Sequence, residues 1–479
     1  MNLLKELNEL QKKAVAADGV VIITAGPGSG KTKTLTSKIA YLVQEKKVNP
    51  EQIIALTFTQ KATAEMKERL SFLEKQPQIS TFHAFALSLI ANTKTIISEK
   101  KRNEILQALI AQHQKTATAK ETKDLGLFIT NYKNSFAEKP NELVKEYDAL
   151  LLEQDMIDYD DVLINLYNNL QKNSQTQFQY ILVDEFQDTN LLQYNILQLL
   201  NTTNNIFVIG DPQQSIYSFR GANPEIFETF KTDFPQHTHI VLSTNYRSEK
   251  HIVEASNKLF PHTQLVPFLQ TQGEIILLQT FNEYTEADWI VNRINEKIGG
   301  TDLIQAGNVQ TDNKKIKFND FAVIYRTHAL AKQVEQRLYT SGIPYQVIGG
   351  DSLFESVEIQ FIVLLLQYLF YKKSEYIYEL LLNPVLHLSK KSKFKLHTLF
   401  HTNKKYAQEE LEQNISVYGE TKKDTTQIFT FFEQVNNLIL EAKNMASTAV
   451  IHKIAQTKLI EDYLLSKKLN HNSIHTLIS

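Results

Sequence analysis

Eight residues near the start of the chain carry the clearest chemistry. Ala25-Gly26-Pro27-Gly28-Ser29-Gly30-Lys31-Thr32 follows an apolar run at 20–24 and opens a helical pattern at 33–43. Glycines allow a turn tight enough to aim several backbone N–H groups at one point, and the helix N-terminus behind them adds its dipole, so the string reads as a phosphate cradle. In such a loop Lys31 reaches the β and γ oxygens of a nucleoside triphosphate, the Thr32 hydroxyl ligates Mg²⁺, and Lys33 completes the lining. Ala25 stands where the pattern usually begins with Gly, and a small residue suffices there if its φ is negative.

A second constellation is Ile181-Leu182-Val183-Asp184-Glu185-Phe186-Gln187-Asp188, an apolar strand ending in two adjacent carboxylates. Asp184 is placed to hold Mg²⁺ through water, and Glu185 to orient or deprotonate an attacking water. A lone Asp-Glu pair is usually solvated surface; a buried strand before it and a phosphate loop upstream favour the catalytic reading.

The elements that must position these groups follow from the apolar pattern. Runs at 20–24, 53–58, 180–184, 206–211 and 240–243 read as short buried strands separated by helices, which predicts a parallel sheet covered on both faces. Residues 86–177 are polar and helical, an insertion into that first α/β domain. Strands at 274–279, 321–326 and 345–348 predict a second α/β domain, with 301–315 its best loop candidate. From Glu358 the pattern is helical again. The predicted class is therefore α/β, with domains at 1–88 plus 175–248, 89–174, 249–357 and 358–479.

At 479 residues and 42% hydrophobic content the chain is too long for one core. It has no Cys, which excludes disulfides, thiolate metal sites and a Cys nucleophile, and which suits a reducing cytoplasm. The charged amphipathic start lacks a signal peptide's apolar stretch, and the longest apolar run, 361–370, is about half the length needed to span a bilayer. A soluble cytoplasmic protein with no membrane partner is expected. The net charge of −2 is silent about nucleic acid. Only seven of the 51 Lys plus Arg are Arg, so each Arg invites a search for bidentate phosphate or carboxylate recognition.

With these residues in view, the chain resembles the UvrD/Rep/PcrA-type superfamily 1A DNA helicases, motif by motif and in order. Leu7-Asn8 with Gln11 resembles the Q motif, which implies a Gln11 hydrogen bond to adenine. Leu56-Thr57-Phe58-Thr59-Gln60-Lys61-Ala62, with Arg69, and Ser80-Thr81-Phe82-His83 resemble two motifs that touch single-stranded DNA. This implies contacts by Thr57, Phe58, Thr59, Arg69, Thr81 and His83. Gln60 stands where the family usually has Asn. Asp158-Tyr159-Asp160-Asp161 matches an acidic signature for which the residues suggest only helix capping. Gly210 to Ala222 resembles motif III, implying that Gln214 senses the γ-phosphate and that Tyr217 and Phe219 stack on bases, with Arg220 beside them. Asn245-Tyr246-Arg247-Ser248 resembles motif IV, implying Tyr246 on adenine and Arg247 as an arginine finger. Phe321 to Arg326, Ile343-Pro344-Tyr345, Gly349-Gly350 and Phe354 continue the match, which covers most of the chain to about Lys395.

The resemblance implies a RecA-like P-loop domain with a helical insertion, a partial second RecA-like domain and the start of a helical inserted domain. It implies ATP and Mg²⁺, single-stranded DNA and single/double-strand junctions, 3′ to 5′ movement, and repair or replication proteins as accessories. Strings like motifs V and VI are not found after Lys395, and no Arg follows Arg337. On that reading the sequence is truncated before them and expected to be a weak ATPase with little unwinding. Two alternatives stand beside it: a motor fragment of a RecB/AddA-like helicase-nuclease, and a remnant that binds ATP and DNA without translocating. Lys31, Glu185 and Arg247 are all present, against the remnant. Eight Lys against Glu375 and Glu379 between Tyr371 and Lys405 read equally well as a duplex-binding face or as solvated helices. His387, His397 and His401 read as surface residues.

Overall fold

The computed structural model describes the chain except for residues 1–4, 90–93, 114–117, 136–140, 173–177, 218–220, 224, 262–263, 299–315, 349–356, 403–406, 443–444, 446 and 468–479. It divides into two compact units, 1–277 and 278–479.

The first unit is built on a six-stranded sheet. Its strands are β1 (Val21–Ala25), β2 (Ile53–Thr57), β3 (Gln78–Thr81), β6 (Tyr180–Val183), β7 (Ile206–Gly210) and β8 (Thr238–Leu242), in the order β3-β2-β6-β7-β1-β8. Every pairing is parallel. Alternate side chains point to opposite faces, so each face gathers its own core. Ile22, Ile54, Ile181 and Val208 pack on one side with α4 (Phe82–Leu89), α8 (Tyr159–Lys172), α9 (Leu191–Leu200) and α10 (Ile226–Asp233). Val21, Ile23, Leu182 and Phe207 pack on the other with α1 (Glu9–Ala16), α2 (Lys31–Gln44) and α3 (Gln60–Arg69). All five strands expected here form, each within two residues of its expected limits. The sixth, β3, has one apolar residue, Ile79, because an edge strand buries little.

Residues 86–177 form helices α5 (Glu99–His113), α6 (Ala119–Asn134), α7 (Glu142–Glu153) and α8, with one two-residue pair, β4 (Thr95–Ile96) on β5 (Met156–Ile157). Ile105, Leu109, Ile129 and Tyr147 form their core. Inside it Lys133, 3% exposed, meets Asp148 at 2.8 Å, Asp158 at 3.1 Å and Asp161 at 2.6 Å. Burial works against its charge, but the three carboxylates outweigh burial and hold its pKa above the usual lysine value. Asp158 also caps α8, accepting from the Asp161 N–H at 2.8 Å. The acidic signature is thus a capping device, as its residues suggest, and an ion cluster as well. The first unit ends with β9 (Thr244–Asn245), α11 (Lys250–Leu259) and β10 (Val266–Pro267), β9 and β10 pairing with each other.

The second unit departs from expectation. The strands predicted at 274–279, where the first unit ends, and at 321–326 and 345–348 do not form, and among the described residues the second unit has helices only. A strand requires a neighbouring strand for its N–H and C=O groups, and among the described residues no strand pairs with these segments. Leu277 is 100% exposed, Ile324 93% and Ile348 85%. What packs instead is α12 (Glu283–Ile298) on α13 (His328–Thr340), through Val291, Ile294, Leu338 and Ile343. The 301–315 loop, Gly349-Gly350 and Phe354 lie outside the described residues.

The remainder is helical as expected: α14 (Val357–Tyr371), α15 (Ser374–Leu382), α16 (Lys390–Thr402), α17 (Ala407–Gln413), α18 (Ile415–Tyr418), α19 (Lys422–Ala442), α20 (Ser447–Ala455) and α21 (Lys458–Lys467), around one apolar core. The lysines of α16 are largely engaged. Lys393 donates to the Leu382 carbonyl at 2.8 Å, and Lys391 and Lys395 share Glu420. This favours ordinary helix packing over a phosphate-binding face. His387 faces Ser466 and Tyr463, and His397 faces Tyr378. Among the described residues no helix is long and apolar enough to cross a membrane.

Removing one partner of a buried ion cluster leaves the others uncompensated, a loss of about 3–5 kcal/mol. Lys133→Met is expected to lower stability by that amount in urea unfolding at pH 7, and by less at pH 5, where the orphaned aspartates protonate. A loss under about 1 kcal/mol at pH 7 would contradict the account.

Candidate nucleotide and DNA sites

The strand ends meet on one edge of the sheet. At the C-terminal end of β1 the loop turns sharply: Gly28 sits at φ +67° and Gly30 at φ +84°, a region L side chains rarely adopt. A side chain on Gly26 would displace the Leu265 side chain that lies against it. Ser29 closes the loop on the Gly26 carbonyl through its hydroxyl at 2.7 Å. Gly30 is also the N-cap of α2, so the first N–H groups of α2, including those of Thr32 and Lys33, open onto the loop. The Lys33 ammonium itself is turned away, to Glu6 at 3.1 Å. From the loop's own helix, Lys38 reaches back to the Val15 and Ala17 carbonyls at 3.0 and 2.6 Å, clamping α1 to α2. Burial lowers its pKa to about 8.

Gln11 reaches the loop, donating to the Ser29 carbonyl at 3.1 Å while accepting from the Asn8 N–H at 3.0 Å. Its amide is thus engaged with protein at both ends, a loop-holding arrangement that the resemblance did not suggest. Asn8 in turn donates to the Tyr246 hydroxyl at 2.6 Å, and Tyr246 packs on Phe268 with ring centroids 4.9 Å apart.

The carboxylates come from the end of β6. Lys31 Nζ lies 2.9 Å from Glu185 Oε2. Glu185 is held in a left-handed backbone conformation, φ 48° and ψ 47°. For a side chain with a Cβ this costs about 1–2 kcal/mol, strain of a kind found at active sites. Asp184 is 5% exposed, and burial, followed by the neighbouring Glu185, pushes its pKa up to about 6. Gln187, absent from the expected set, is the hinge of the arrangement. Its Nε2 donates to Glu185 at 2.9 Å, its Oε1 accepts from the Asp211 N–H at 2.9 Å, and its carbonyl accepts from Ser215. Gly210 leaves space for it, since any side chain there would collide with Gln187. Gln214 donates to Asp211 at 2.7 Å, which links it through Gln187 to Glu185 and so to Lys31 of the loop.

Arg247 is brought to the loop by Asn245, also unforeseen. Asn245 donates to the Pro27 carbonyl at 2.8 Å and accepts from the Arg247 and Ser248 N–H groups at 2.9 and 2.8 Å. The Tyr246 N–H adds a bond to the Gly28 carbonyl at 2.9 Å, and Arg247 Cβ lies where a side chain on Gly28 would have to go. Lys31, Glu185 and Arg247 therefore border one loop within one unit. An Asn two residues before the Arg, able to turn the chain by binding its own backbone, was the signal available for Asn245.

Mg²⁺ fits this donor set. Asp184 is a buried carboxylate beside a second one, Glu185, and Lys31 is bonded to Glu185; burial first and Glu185 second raise the Asp184 pKa, and a divalent ion would favour its charged form. Thr32, next to Lys31, would supply the hydroxyl.

Across the strand ends lies a groove of about 1330 Å³, lined by Thr57, Phe58, Thr59, Thr81, His83 and Tyr217, with residues of α5 and α6 forming its other wall. The Phe58 and Tyr217 rings stand 5.0 Å apart at 31°. Thr59 caps α3, and the Thr81 hydroxyl accepts from the Ala84 N–H of α4, so helix N-termini open on the groove. His83 packs edge-on to Tyr159, and burial lowers its pKa, keeping it neutral at pH 7. Arg69 is not part of the groove lining; it pairs with Glu65 at 2.6 Å on the exposed face of α3. Phe219 and Arg220 lie outside the described residues.

Residues 7–235 match the UvrD/REP helicase N-terminal domain, and residues 240–477 match the UvrD-like helicase C-terminal domain. The chain belongs to the UvrD/REP helicase family. It is similar to the ATP-dependent DNA helicase PcrA of Staphylococcus epidermidis, at 30% identity over 96% of this chain and 67% of that protein. It is also similar to PcrA of Leuconostoc citreum, at 32% over 74% of this chain and 51% of the relative. For PcrA of Staphylococcus aureus the figures are 29%, 95% and 66%. The chain is thus a UvrD-type ATP-dependent DNA helicase, an enzyme that uses ATP and binds DNA, on an α/β RecA-like fold.

Because burial raises the Asp184 pKa, the folded state without metal binds its proton more tightly than the unfolded chain. Its stabilising share is therefore full below the unfolded value near 4 and lost as pH rises through about 6. Asp184→Asn should stabilise the metal-free protein at pH 7.5 by about 1–3 kcal/mol, and by almost nothing at pH 4, while abolishing ATP hydrolysis. Thermal unfolding in EDTA across this range checks it; parallel pH profiles for the two proteins would contradict it.

Proposed function

We propose that ATP binds on the loop 25–32 with Mg²⁺ held by Thr32 and Asp184, that Glu185 handles the attacking water, and that hydrolysis drives 3′ to 5′ movement along single-stranded DNA lying on Phe58 and Tyr217. The observation that carries this reading is the Lys31–Glu185 ion pair at the mouth of the loop. A γ-phosphate entering the cradle competes for Lys31. As the ammonium turns to it, Glu185 loses its counter-ion and becomes free to take a proton from water lined up on the phosphorus. Arg247, its Cβ set against Gly28, would bring its guanidinium to the same phosphate. Mg²⁺, held by Thr32 and Asp184, would supply positive charge that offsets the negative charge of the phosphates.

The coupling to DNA follows from the same bonds. Glu185 is tied through Gln187 to Asp211 and through Ser215 to the segment bearing Tyr217. A shift of Glu185 is thereby transmitted to one ring of the pair on which bases would stack, an interaction indifferent to sequence. Domains at 1–88 plus 175–248, 89–174, 249–357 and 358–479 are the corresponding division of labour. Single/double-strand junctions are the natural substrate, and cytoplasmic repair or replication proteins the natural accessories.

Lys31→Ala is expected to reduce DNA-stimulated ATP hydrolysis at least ~100-fold, the scale of removing one preorganised charge-stabilising group. Tyr217→Ala is expected to weaken oligo-dT binding about 5- to 150-fold, equivalent to one stacked base, with ATP affinity in the absence of DNA within about twofold of wild type. Hydrolysis retained in the first variant, or unchanged oligo-dT affinity in the second, would remove the nucleotide or the DNA half of the proposal respectively. Release of a 3′- against a 5′-end-bound label reads the direction.

A further inference from the structure

Asn190 stands five residues beyond Glu185, on a segment folded tightly onto itself. The Asp188 N–H donates to the Glu185 carbonyl at 2.9 Å and the Thr189 N–H to the Phe186 carbonyl at 3.1 Å, so the segment moves as one piece. Asn190 caps α9 with its side-chain oxygen, which accepts from the Gln193 N–H at 2.8 Å. Capping needs only that oxygen, and Ser, Thr or Asp would provide it. The nitrogen of the amide is surplus to the cap, and it donates to Asn134 Oδ1 at 3.0 Å in a buried setting.

Asn134 is the last residue of α6, in the helical insertion. Its own nitrogen donates to Asp160 at 2.8 Å and to the Thr130 carbonyl at 2.9 Å. Asp160 also accepts from the Thr130 hydroxyl, which accepts from Arg102 of α5 at 2.8 Å. The bond from Asn190 therefore enters a network spanning α5, α6 and the start of α8. A second nucleotide-linked segment arrives at the same point. Gly221, which follows the Tyr217 segment at φ +85°, lies so close to Asn131, Asn134 and Asn190 that any side chain on it would touch all three. Asn131 Oδ1 is buried there without a hydrogen-bond partner.

We propose that the Asn190–Asn134 hydrogen bond is the joint through which the state of the carboxylate segment is passed to the helical insertion, with Asn134 a positioning residue for the DNA groove. The inference rests on the function proposed above. Lys133 and its three aspartates make the interior of the insertion stiff, whereas the joint is a single neutral amide pair. Such a bond is directional, yet weak in net terms because water competes for both partners, so it can be made and broken within a cycle. Helices α5 and α6 form one wall of the groove that holds Phe58 and Tyr217 on the other. Repositioning α6 changes the width of that groove, and with it the grip on the strand.

The test is a linkage measurement. The factor by which a non-hydrolysable ATP analogue changes oligo-dT affinity must equal the factor by which oligo-dT changes analogue affinity. Asn134→Ala removes the joint from the insertion side. Asn190→Ser removes it from the other side while keeping a good cap on α9, so it folds even if the first variant does not. Both variants should bring the coupling factor at least about fivefold closer to one, with analogue affinity in the absence of DNA within about twofold of wild type, and the double variant should lose no more than either single one. Wild-type coupling retained in Asn190→Ser overturns the inference alone. A coupling factor of one in the wild type overturns the proposed function, and the inference with it.

Discussion

The Lys31–Glu185 ion pair is the constraint around which the first unit is organised. It joins the ends of two strands that are not neighbours in the sheet, β1 and β6, with β7 between them. For the two charges to meet at 2.9 Å, the loop after β1 must curl back through two left-handed glycines, and Glu185 must adopt a left-handed backbone without being a glycine. The sheet provides the rigidity that makes such strain tolerable. All its strands are parallel, and the inner ones β1, β2, β6 and β7 are buried on both faces, which holds the strand ends in place. Ligands in open parallel sheets bind beyond the carboxyl ends of the strands, which is where the loop, the carboxylates and the Gly210 turn all lie.

Much of this was legible in the residues. The parallel sheet could be read because β1, β2, β6 and β7 are continuous apolar runs, a pattern that a half-exposed strand does not produce. The loop could be read because its glycines, lysine and threonine each have a separate physical reason to be there. Gln187 and Asn245 were not legible in the same way. Each acts through a long-range bond, to Asp211 and to Pro27, and nothing in a linear sequence states that β6 ends beside β7 or that β8 ends beside β1. The resemblance implied Gln11 at the adenine, but its observed partner, the Ser29 carbonyl, was not legible.

The stretch from 274 to 348 shows the opposite failure. Residues 274–279, 321–326 and 345–348 have the composition of strands, and composition reports only that a segment would suit a pleated, half-buried surface. Whether a strand forms is decided by a neighbour, and here the apolar side chains of Leu277, Ile324 and Ile348 stand exposed instead. The α14–α21 region was read correctly for the complementary reason. A helix satisfies its own backbone and needs only an apolar stripe to pack, so its signal is local.

The acidic signature at 158–161 shows how far capping logic alone reaches. Asp158 and Asp161 do cap α8, each accepting from the other's N–H, and a cap would be a sufficient reason for the two. It is no reason for Asp160, which takes no part in the cap and is buried against its own charge. Burial and Asp158 raise its pKa, so keeping a carboxylate there works against stability unless its acceptors are used. They are used, on Thr130 and Asn134, the two residues that lead from Arg102 to Asn190. A capping requirement and a connecting requirement have thus been met within one short string, and only the second explains why a position between the two capping residues is also an acid.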